Sequence, residues 1–213
     1  ANHVLLQEEL ERTIPVIQKI RQTSPDTLIS IDTYKSEVAI QAIDAGANMI
    51  NDISGLTMDK TMPNIAADLG VPIVIMHMQG TPANMQINPH YEDLILDITS
   101  FFSDQIKLAN TAGIKMERII LDPGIGFGKT IDHNFQLIQN LNEFCKLGYP
   151  ILIGPSRKSF IGTTLDLPTE DRLEGTSAVV TAGIMNGARI VRVHDVKEIK
   201  RVVTITEKIR TAA

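Results

Sequence analysis

Six short apolar stretches of strand type, each followed by a helix-like segment, constrain the fold of this chain more than any other feature. The stretches and their polar ends lie at residues 28–32, 49–52, 73–77, 119–122, 151–158 and 190–194. Strands that alternate with helices pair in parallel. The polar residues at the strand ends need a reason other than packing, and in a parallel α/β barrel those C-terminal ends form the active-site face. The pattern therefore predicts both an α/β fold and the place of its site.

The number of strands raises a question about closure. A TIM (β/α)8 barrel needs eight strands and usually about 250 residues, whereas this chain has 213 residues and six predicted strands. The chain opens on a predicted helix, Leu5–Gln22, as though it followed a second strand. We expect strands 3 to 8 of such a barrel in one domain, residues 1–213, with the first two strand–helix units lacking. The alternative is an open, doubly wound sheet of six strands.

Composition limits the partners of the chain. The formal net charge is -5 and the pI is near 5.5, which argues against non-specific nucleic-acid binding. No apolar run approaches the roughly 20 residues of a membrane span, and the first residues do not look like a signal peptide. The single cysteine, Cys145, cannot form an internal disulfide, which is consistent with a reducing compartment. We expect a cytoplasmic protein without membrane or nucleic-acid partners.

A glycine-rich segment, Leu121–Thr130, follows the fourth predicted strand. It is not a Walker A loop, because Pro123 occupies the position of the required first glycine. It is not a Gly-x-Gly-x-x-Gly loop either, because its third glycine comes too early. We interpret it as a tightly turned loop with Asp122 at its base and Phe127 near its tip, where the aromatic ring could cover a flat ligand. Ordinary turn glycines are the alternative.

Two carboxylates, Asp32 and Asp122, follow predicted strands directly. A carboxylate accepts two parallel hydrogen bonds, so it suits the edge of an amidine-like or guanidine-like ring. Because both residues also precede helices, an N-capping role is the alternative for each, and it is weaker for Asp122, which Pro123 and Gly124 follow.

Cationic and hydroxyl side chains follow the last two predicted strands. Ser156–Ser159 contains two cations and two hydroxyls, and Arg192 and His194 are two residues apart, which in a strand places them on one face. In such barrels phosphate sites lie after strands seven and eight. The combination therefore predicts a phosphate or diphosphate site. His77 and His90 are a weaker candidate for metal binding, because no carboxylate-rich ligand spacing accompanies them, and a hydrogen-bonding role is favoured for His77.

Six motifs that together span the chain resemble, in the same order, those of the bacterial dihydropteroate synthases. They are Ser30–Thr33, Ile50–Gly55, Met76–Pro82, Leu121–Thr130, Gly154–Phe160 and Ile190–Asp195. The resemblance implies a TIM barrel and a transferase of folate biosynthesis. The implied reaction condenses (7,8-dihydropterin-6-yl)methyl diphosphate with 4-aminobenzoate, which gives 7,8-dihydropteroate and diphosphate.

The resemblance also implies roles for single residues. Asp32, Asn51, Asp122 and Lys158 would bind the pterin, and Asp122 and Lys158 would be catalytic.

The remaining implied roles concern the other two ligand groups. Arg192 and His194 would bind the diphosphate, while Phe127, Arg157 and Ser159 would contact the aminobenzoate.

Cofactor and assembly follow from the resemblance as well. It implies Mg²⁺, a homodimer and membership of a family that is a sulfonamide target. The family's metal-binding Asn belongs to the lacking N-terminal segment, so no metal ligand is assigned in this chain. For the same reason we expect these 213 residues alone to be inactive.

Two other functions remain open at this point. A pterin-binding methyltransferase domain would share the Asp and Asn residues, but its ligand carries no diphosphate for Lys158, Arg192 and His194 to bind. A non-catalytic pterin-binding remnant would bind pterin without forming product.

Overall fold

The computed structural model describes residues 4–212, and it contains all six predicted strands. The strands are β1 (Ser30–Asp32), β2 (Met49–Asp52), β3 (Ile73–Met76), β4 (Ile119–Asp122), β5 (Leu152–Ile153) and β6 (Ile190–Val191). The helices are α1 (Leu6–Thr23), α2 (Ser36–Asp44), α3 (Met62–Leu69), α4 (Leu94–Ala112), α5 (Ile131–Gln139), α6 (Leu141–Cys145), α7 (Ser159–Leu165), α8 (Leu173–Met185) and α9 (Val196–Thr211). Short 3-10 turns lie at Met116–Arg118 and Thr169–Asp171. Within residues 4–212, no helix is long and apolar enough to cross a membrane.

The chain divides into two compact units. The first comprises residues up to 77 together with 101–120, and the second comprises 78–100 together with the residues from 121 onward. The assignment of residues 1–213 to a single domain stays a prediction.

The first unit is built around a parallel sheet in the order β1-β2-β3-β4, to which β4 contributes Ile119 and Ile120. Its central strands are apolar and closed off from water, since Ile50 and Ile73 have no exposed surface. Helices α1, α2 and α3 pack in sequence along this unit. Such runs of β-branched residues are typical of parallel strands covered on both faces.

The second unit contains the parallel pair β5 and β6, in the register Leu152–Ile190 and Ile153–Val191. A single bridge joins Leu121, in the second half of β4, to Ile151. Helices α8 and α9 pack on each other around Val180 and Ile184. Each such buried side chain contributes roughly 1.5–3 kcal/mol relative to exposure. This packing fixes the ends of β5 and β6, where the predicted anion-binding residues follow.

Two predicted elements differ from the structure. Residues 132–146, which the period of their apolar side chains predicts as one helix, form two helices divided at Asn140, whose backbone leaves the helical region at φ -110 and ψ 22. Strand β6 ends at Val191, so Arg192 and His194 follow the strand and are exposed, instead of facing inward as part of it. An exposed position removes the cost of burying an arginine.

Candidate functional site

In the first unit, Asp32 and Asn51 lie side by side at the ends of two neighbouring strands. The register of β1 and β2 pairs them, and the amide of Thr33 donates to the Asn51 carbonyl oxygen at 3.1 Å. Residues in register on parallel strands point to the same face of a sheet. The two side chains therefore share a face at the C-terminal edge.

Asn51 and the next residue, Asp52, are both buried but are bonded differently. The Asp52 carboxylate accepts hydrogen bonds from the Ser54 amide (2.8 Å), the Ser54 hydroxyl (2.7 Å) and the Leu56 amide (2.9 Å). Burial raises the pKa of Asp52, while these bonds act against that rise. Among the described residues nothing donates to the Asn51 Oδ1, although that atom is buried. Asp52 thus shapes the turn after β2, and Asn51 keeps a polar atom suited to a ligand.

In the second unit, Asp122 ends β4 as a carboxylate that is 6% exposed. Its Oδ1 accepts a hydrogen bond from the Gly124 amide at 2.7 Å. Burial raises the Asp122 pKa to about 6, against the opposing effects of that hydrogen bond and of the nearby cations Lys158, Lys129 and Arg192. A carboxylate kept from water in a cationic environment is suited to bind the hydrogen-bond donors of a ring.

Lys158 follows β5, and its side chain contacts the glycine loop. Its ammonium donates to the Ile125 carbonyl oxygen and lies 4.0 Å from the centroid of the Phe127 ring. This cation–π contact fixes the ring and the charge relative to each other. Ser159 is exposed at the start of α7 and lines a cavity of about 530 Å³. Two residues predicted to contact aminobenzoate, Phe127 and Ser159, thus flank Lys158 within one unit.

Arg157, the third residue predicted to contact aminobenzoate, has a carboxylate partner. Its Nε donates to Asp195 Oδ2 at 2.9 Å and its Nη2 donates to Asp195 Oδ1. These hydrogen bonds raise the pKa of Arg157 and lower that of Asp195. Nothing in the sequence pattern marks this pair, because its members are 38 residues apart. The pair ties the segment after β5 to the segment after β6.

Arg192 and His194 are exposed beside that pair. The His194 Nδ1 lies 2.9 Å from the Ser156 hydroxyl, and the His194 amide donates to the same oxygen at 3.1 Å. Ser156 thus orients the ring and leaves its Nε2 as the nitrogen that can meet a ligand. The Arg192 amide donates to the Ile153 carbonyl oxygen at 2.9 Å, which fixes its backbone to β5.

The N-capping alternative is wrong for both carboxylates. The N-cap residue of α2 is Lys35, three positions after Asp32. The N-cap residue of α5 is Thr130, which forms a capping box with His133. Asp122 instead bonds the loop directly behind it.

The described residues place no set of further metal ligands around His77. Its ring is buried and packs edge to face on Phe101, with 5.0 Å between the centroids. Across residues 4–212, no group of three or more His, Cys, Asp or Glu side chains could hold a metal ion.

The sequence did not predict a role for Lys129, which is 4% exposed. Its Nζ donates to the Phe127 carbonyl oxygen at 2.8 Å. Burial lowers its pKa to about 7, and the nearby Asp122 acts in the opposite direction. The only signal in the sequence is the Gly-Lys-Thr tripeptide at the end of the glycine-rich segment, which is not a Walker A loop.

Comparison with known families identifies the class of protein. Residues 1–194 match the family described as "Pterin binding enzyme", so the fold and the polar strand ends belong to a pterin-binding enzyme. The chain is 50% identical to the dihydropteroate synthase of Synechocystis sp., a match that covers 97% of this chain and 72% of that protein. It is 45% identical to the Haemophilus influenzae dihydropteroate synthase, over 92% of this chain and 70% of that protein. The chain belongs to the dihydropteroate synthase family.

Solved structures agree with this family and confirm the predicted fold class. The Yersinia pestis dihydropteroate synthase in complex with a sulfonamide drug has a TM-score of 0.96 at 43% identity, over 100% of this chain and 76% of that one. The Stenotrophomonas maltophilia enzyme with imidazole bound in its active site has a TM-score of 0.95 at 39% identity, over 99% of this chain and 79% of that one. The prediction of a parallel α/β fold of TIM-barrel type is confirmed by these matches.

Proposed function

We propose that the protein catalyses the dihydropteroate synthase reaction of folate biosynthesis. The substrates are (7,8-dihydropterin-6-yl)methyl diphosphate and 4-aminobenzoate, and the products are 7,8-dihydropteroate and diphosphate. The observation that carries the proposal is the buried Asp122 carboxylate at the end of β4, with Lys158 and Arg192 as nearby cations. A pterin ring offers two parallel N–H donors, and a buried carboxylate accepts such a pair.

The chemistry requires charge stabilisation more than a strong base. The bond between the pterin methylene carbon and the diphosphate oxygen breaks, and the oxygen keeps the electron pair. The neutral amine of aminobenzoate forms the new carbon–nitrogen bond and then loses one proton. The activation barrier of this transfer is lowered by cations that bind the leaving diphosphate and by groups that fix the pterin ring.

We assign pterin binding to Asp32, Asn51, Asp122 and Lys158. The shared face of Asp32 and Asn51 and the unpartnered, buried Asn51 Oδ1 support this assignment.

We assign the other two ligand groups to residues of the second unit. Arg192 and His194 would bind the diphosphate, since both are exposed cationic or hydrogen-bonding groups at the end of β6. Phe127 and Ser159 would contact the aminobenzoate. Arg157 would act there while bound to Asp195, so its role would be to fix the segment that carries Lys158.

Magnesium enters the proposal as a partner of the substrate. The described residues offer no cluster of protein ligands for a metal ion. Mg²⁺ commonly keeps several waters and binds mainly through substrate phosphates and one or two carboxylates. We propose that Mg²⁺ accompanies the diphosphate, where it would neutralise charge.

Assembly, location and drug binding complete the proposal. We propose a homodimer, which sedimentation of the purified protein would test. We propose a cytoplasmic location, because the only cysteine of the chain cannot form an internal disulfide. Sulfonamides should compete with aminobenzoate for this protein.

The experiment that tests the function uses the protein expressed from its complete reading frame, with both substrates and Mg²⁺. Formation of dihydropteroate and of an equal amount of diphosphate, each dependent on both substrates, is the expected result. Pterin binding without product would favour the non-catalytic remnant. Methyl transfer from methyl-tetrahydrofolate would favour the methyltransferase.

Replacing Asn51 by leucine should weaken pterin binding without weakening the fold. We expect the Kd of the pterin diphosphate, measured calorimetrically without aminobenzoate, to rise about 10- to 100-fold, because a ligand hydrogen bond worth roughly 1.5–3 kcal/mol is lost. The melting temperature should not fall, because the substitution removes a buried acceptor that has no partner.

The neighbouring residue provides the matched comparison for Asn51. Asp52→Leu removes an acceptor of three hydrogen bonds, so it should lower the melting temperature clearly. An Asn51→Leu protein that is destabilised as much as Asp52→Leu, yet binds pterin normally, would contradict the assignment.

A further inference from the structure

Four consecutive backbone carbonyls of the glycine loop, at residues 125–128, each accept a hydrogen bond from a side chain. Lys158 donates to the first. Gln86 donates to the Gly126 oxygen, Lys129 to the Phe127 oxygen and Tyr91 to the Gly128 oxygen, each at 2.8 Å. Residues 125–128 lie in no helix or strand. Because these residues belong to no helix or strand, side-chain donors hold their backbone in place of the hydrogen bonds of regular secondary structure.

Two glycines of the same loop lie close to neighbouring residues. Gly126 and Gly128 have φ values of 79° and 63°, a region that favours glycine. A Cβ on Gly126 would come within 2.6 Å of the Lys158 side chain, and a Cβ on Gly128 within 2.5 Å of the Gln79 carbonyl oxygen. The four hydrogen bonds and the two close approaches thus hold the backbone that carries Phe127.

Lys129 is the donor whose presence most needs an explanation. It is 4% exposed, and its ammonium lies 5.9 Å from the centroid of the Tyr91 ring. Burying an ammonium is costly, and whole buried ion pairs can often be replaced by well-packed apolar residues without loss of stability. The fold alone therefore does not require a lysine here. The requirement comes from the carbonyl that it binds and from the charge that it places near Asp122.

We propose that Lys129 is a positioning residue of the aminobenzoate site, which holds the Phe127 backbone so that the aromatic ring stays beside the Lys158 ammonium. Tyr91 supports the same loop in two ways: its hydroxyl donates to the Gly128 carbonyl oxygen, and the face of its ring lies against the Lys129 ammonium. This inference rests on the proposed function, since it assigns Phe127 to aminobenzoate.

The kinetic test compares the KM values for the two substrates in the Lys129→Met protein. Methionine keeps the length and the apolar stem but has no donor. At pH 8.5, we expect the KM for aminobenzoate to rise at least about tenfold, while the KM for the pterin diphosphate stays within about twofold. Tyr91→Phe, which removes only the hydroxyl, should change the aminobenzoate KM in the same direction by about threefold.

The pH profile supplies a second readout, which a purely structural role would leave unchanged. The charged groups that act on Asp122 are Lys158, Lys129 and Arg192. Removing one of these cations favours the protonated carboxyl, so the acidic limb of kcat/KM for the pterin should move to higher pH in Lys129→Met. Lys115→Met, a change at an exposed lysine, should leave both KM values and the pH profile unchanged.

The possible outcomes separate the inference from the proposed function. Wild-type protein that forms no product refutes the proposed function and this inference with it. Wild-type turnover with equal changes in both KM values, or with a lower melting temperature and unchanged kinetics, refutes the inference alone. If Lys129→Met does not fold, Tyr91→Phe decides: an unchanged aminobenzoate KM in that variant overturns the inference.

Discussion

The Asp122→Asn protein is expected to be more stable than the wild type at neutral pH and nearly inactive. Asparagine keeps an oxygen that can accept the Gly124 amide, but it presents an amide donor where the pterin offers its own donors. Because the new amide donor would then face the N–H donors of the pterin, kcat/KM should fall about 10³-fold or more relative to the wild type. In the wild type, kcat/KM for the pterin should fall as the pH drops below about 6, because protonation removes the acceptor pair.

The gain in stability follows from the raised pKa of Asp122. Burial raises it from 3.8 to about 6, so the folded state binds this proton more tightly than the unfolded state does. Above about pH 6 both states are ionised and the folded state carries the full cost of the buried charge, about 3 kcal/mol. As the pH falls below 4 the carboxyl is protonated in both states and this cost vanishes. Asp122→Asn should therefore gain up to about 3 kcal/mol at pH 7 and almost nothing at pH 4.

Denaturant unfolding at the two pH values measures this gain. Asp26→Asn, at an exposed carboxylate, is the matched control and should show no difference in the free energy of unfolding. A loss of stability in Asp122→Asn at pH 7 would instead make the carboxylate a structural group, and the assignment to pterin would lose its main support.

The sequence predicted the strands well because their signal is local. Each strand is a short apolar run of β-type residues next to a polar end, and the observed strands overlap all six predicted ones. Asp122 could also be predicted as a candidate acceptor, since a strand end followed by Pro and Gly does not start a helix. The break at Asn140 was not visible, because the apolar residues on both sides keep the helical period.

The features that the sequence missed depend on contacts between distant residues. Arg157 and Asp195 are 38 residues apart and meet only because β5 and β6 pair. Lys129 looks like a surface lysine in the sequence, and only the packed loop shows that it is buried. The family resemblance selects Asn51, but the strand pattern alone does not distinguish Asn51 from Asp52. The turn that follows β2 donates hydrogen bonds to Asp52, whereas the Asn51 Oδ1 has no donor among the described residues.

Replacing Lys158 should reduce turnover far more than it reduces stability. We expect Lys158→Ala and Lys158→Met to lower kcat/KM by about 10²- to 10³-fold, the usual effect of removing one charge-stabilising donor. The two variants should differ in stability, because the Lys158 stem packs where a Cβ on Gly126 would lie. Alanine loses this packing as well as the ammonium, and should cost about 2 kcal/mol, whereas methionine keeps the stem and should cost less than about 1 kcal/mol.

The comparison of these variants separates the ammonium from its stem. Equal losses of kcat/KM in Lys158→Ala and Lys158→Met would assign the catalytic effect to the charge, which contacts the Ile125 carbonyl and the Phe127 ring. Lys197→Ala, at an exposed lysine of α9, should change neither turnover nor melting temperature. A large fall in the melting temperature with unchanged kinetics would show that Lys158 serves the fold. In that case Arg192 and His194 would have to stabilise the departing diphosphate without it.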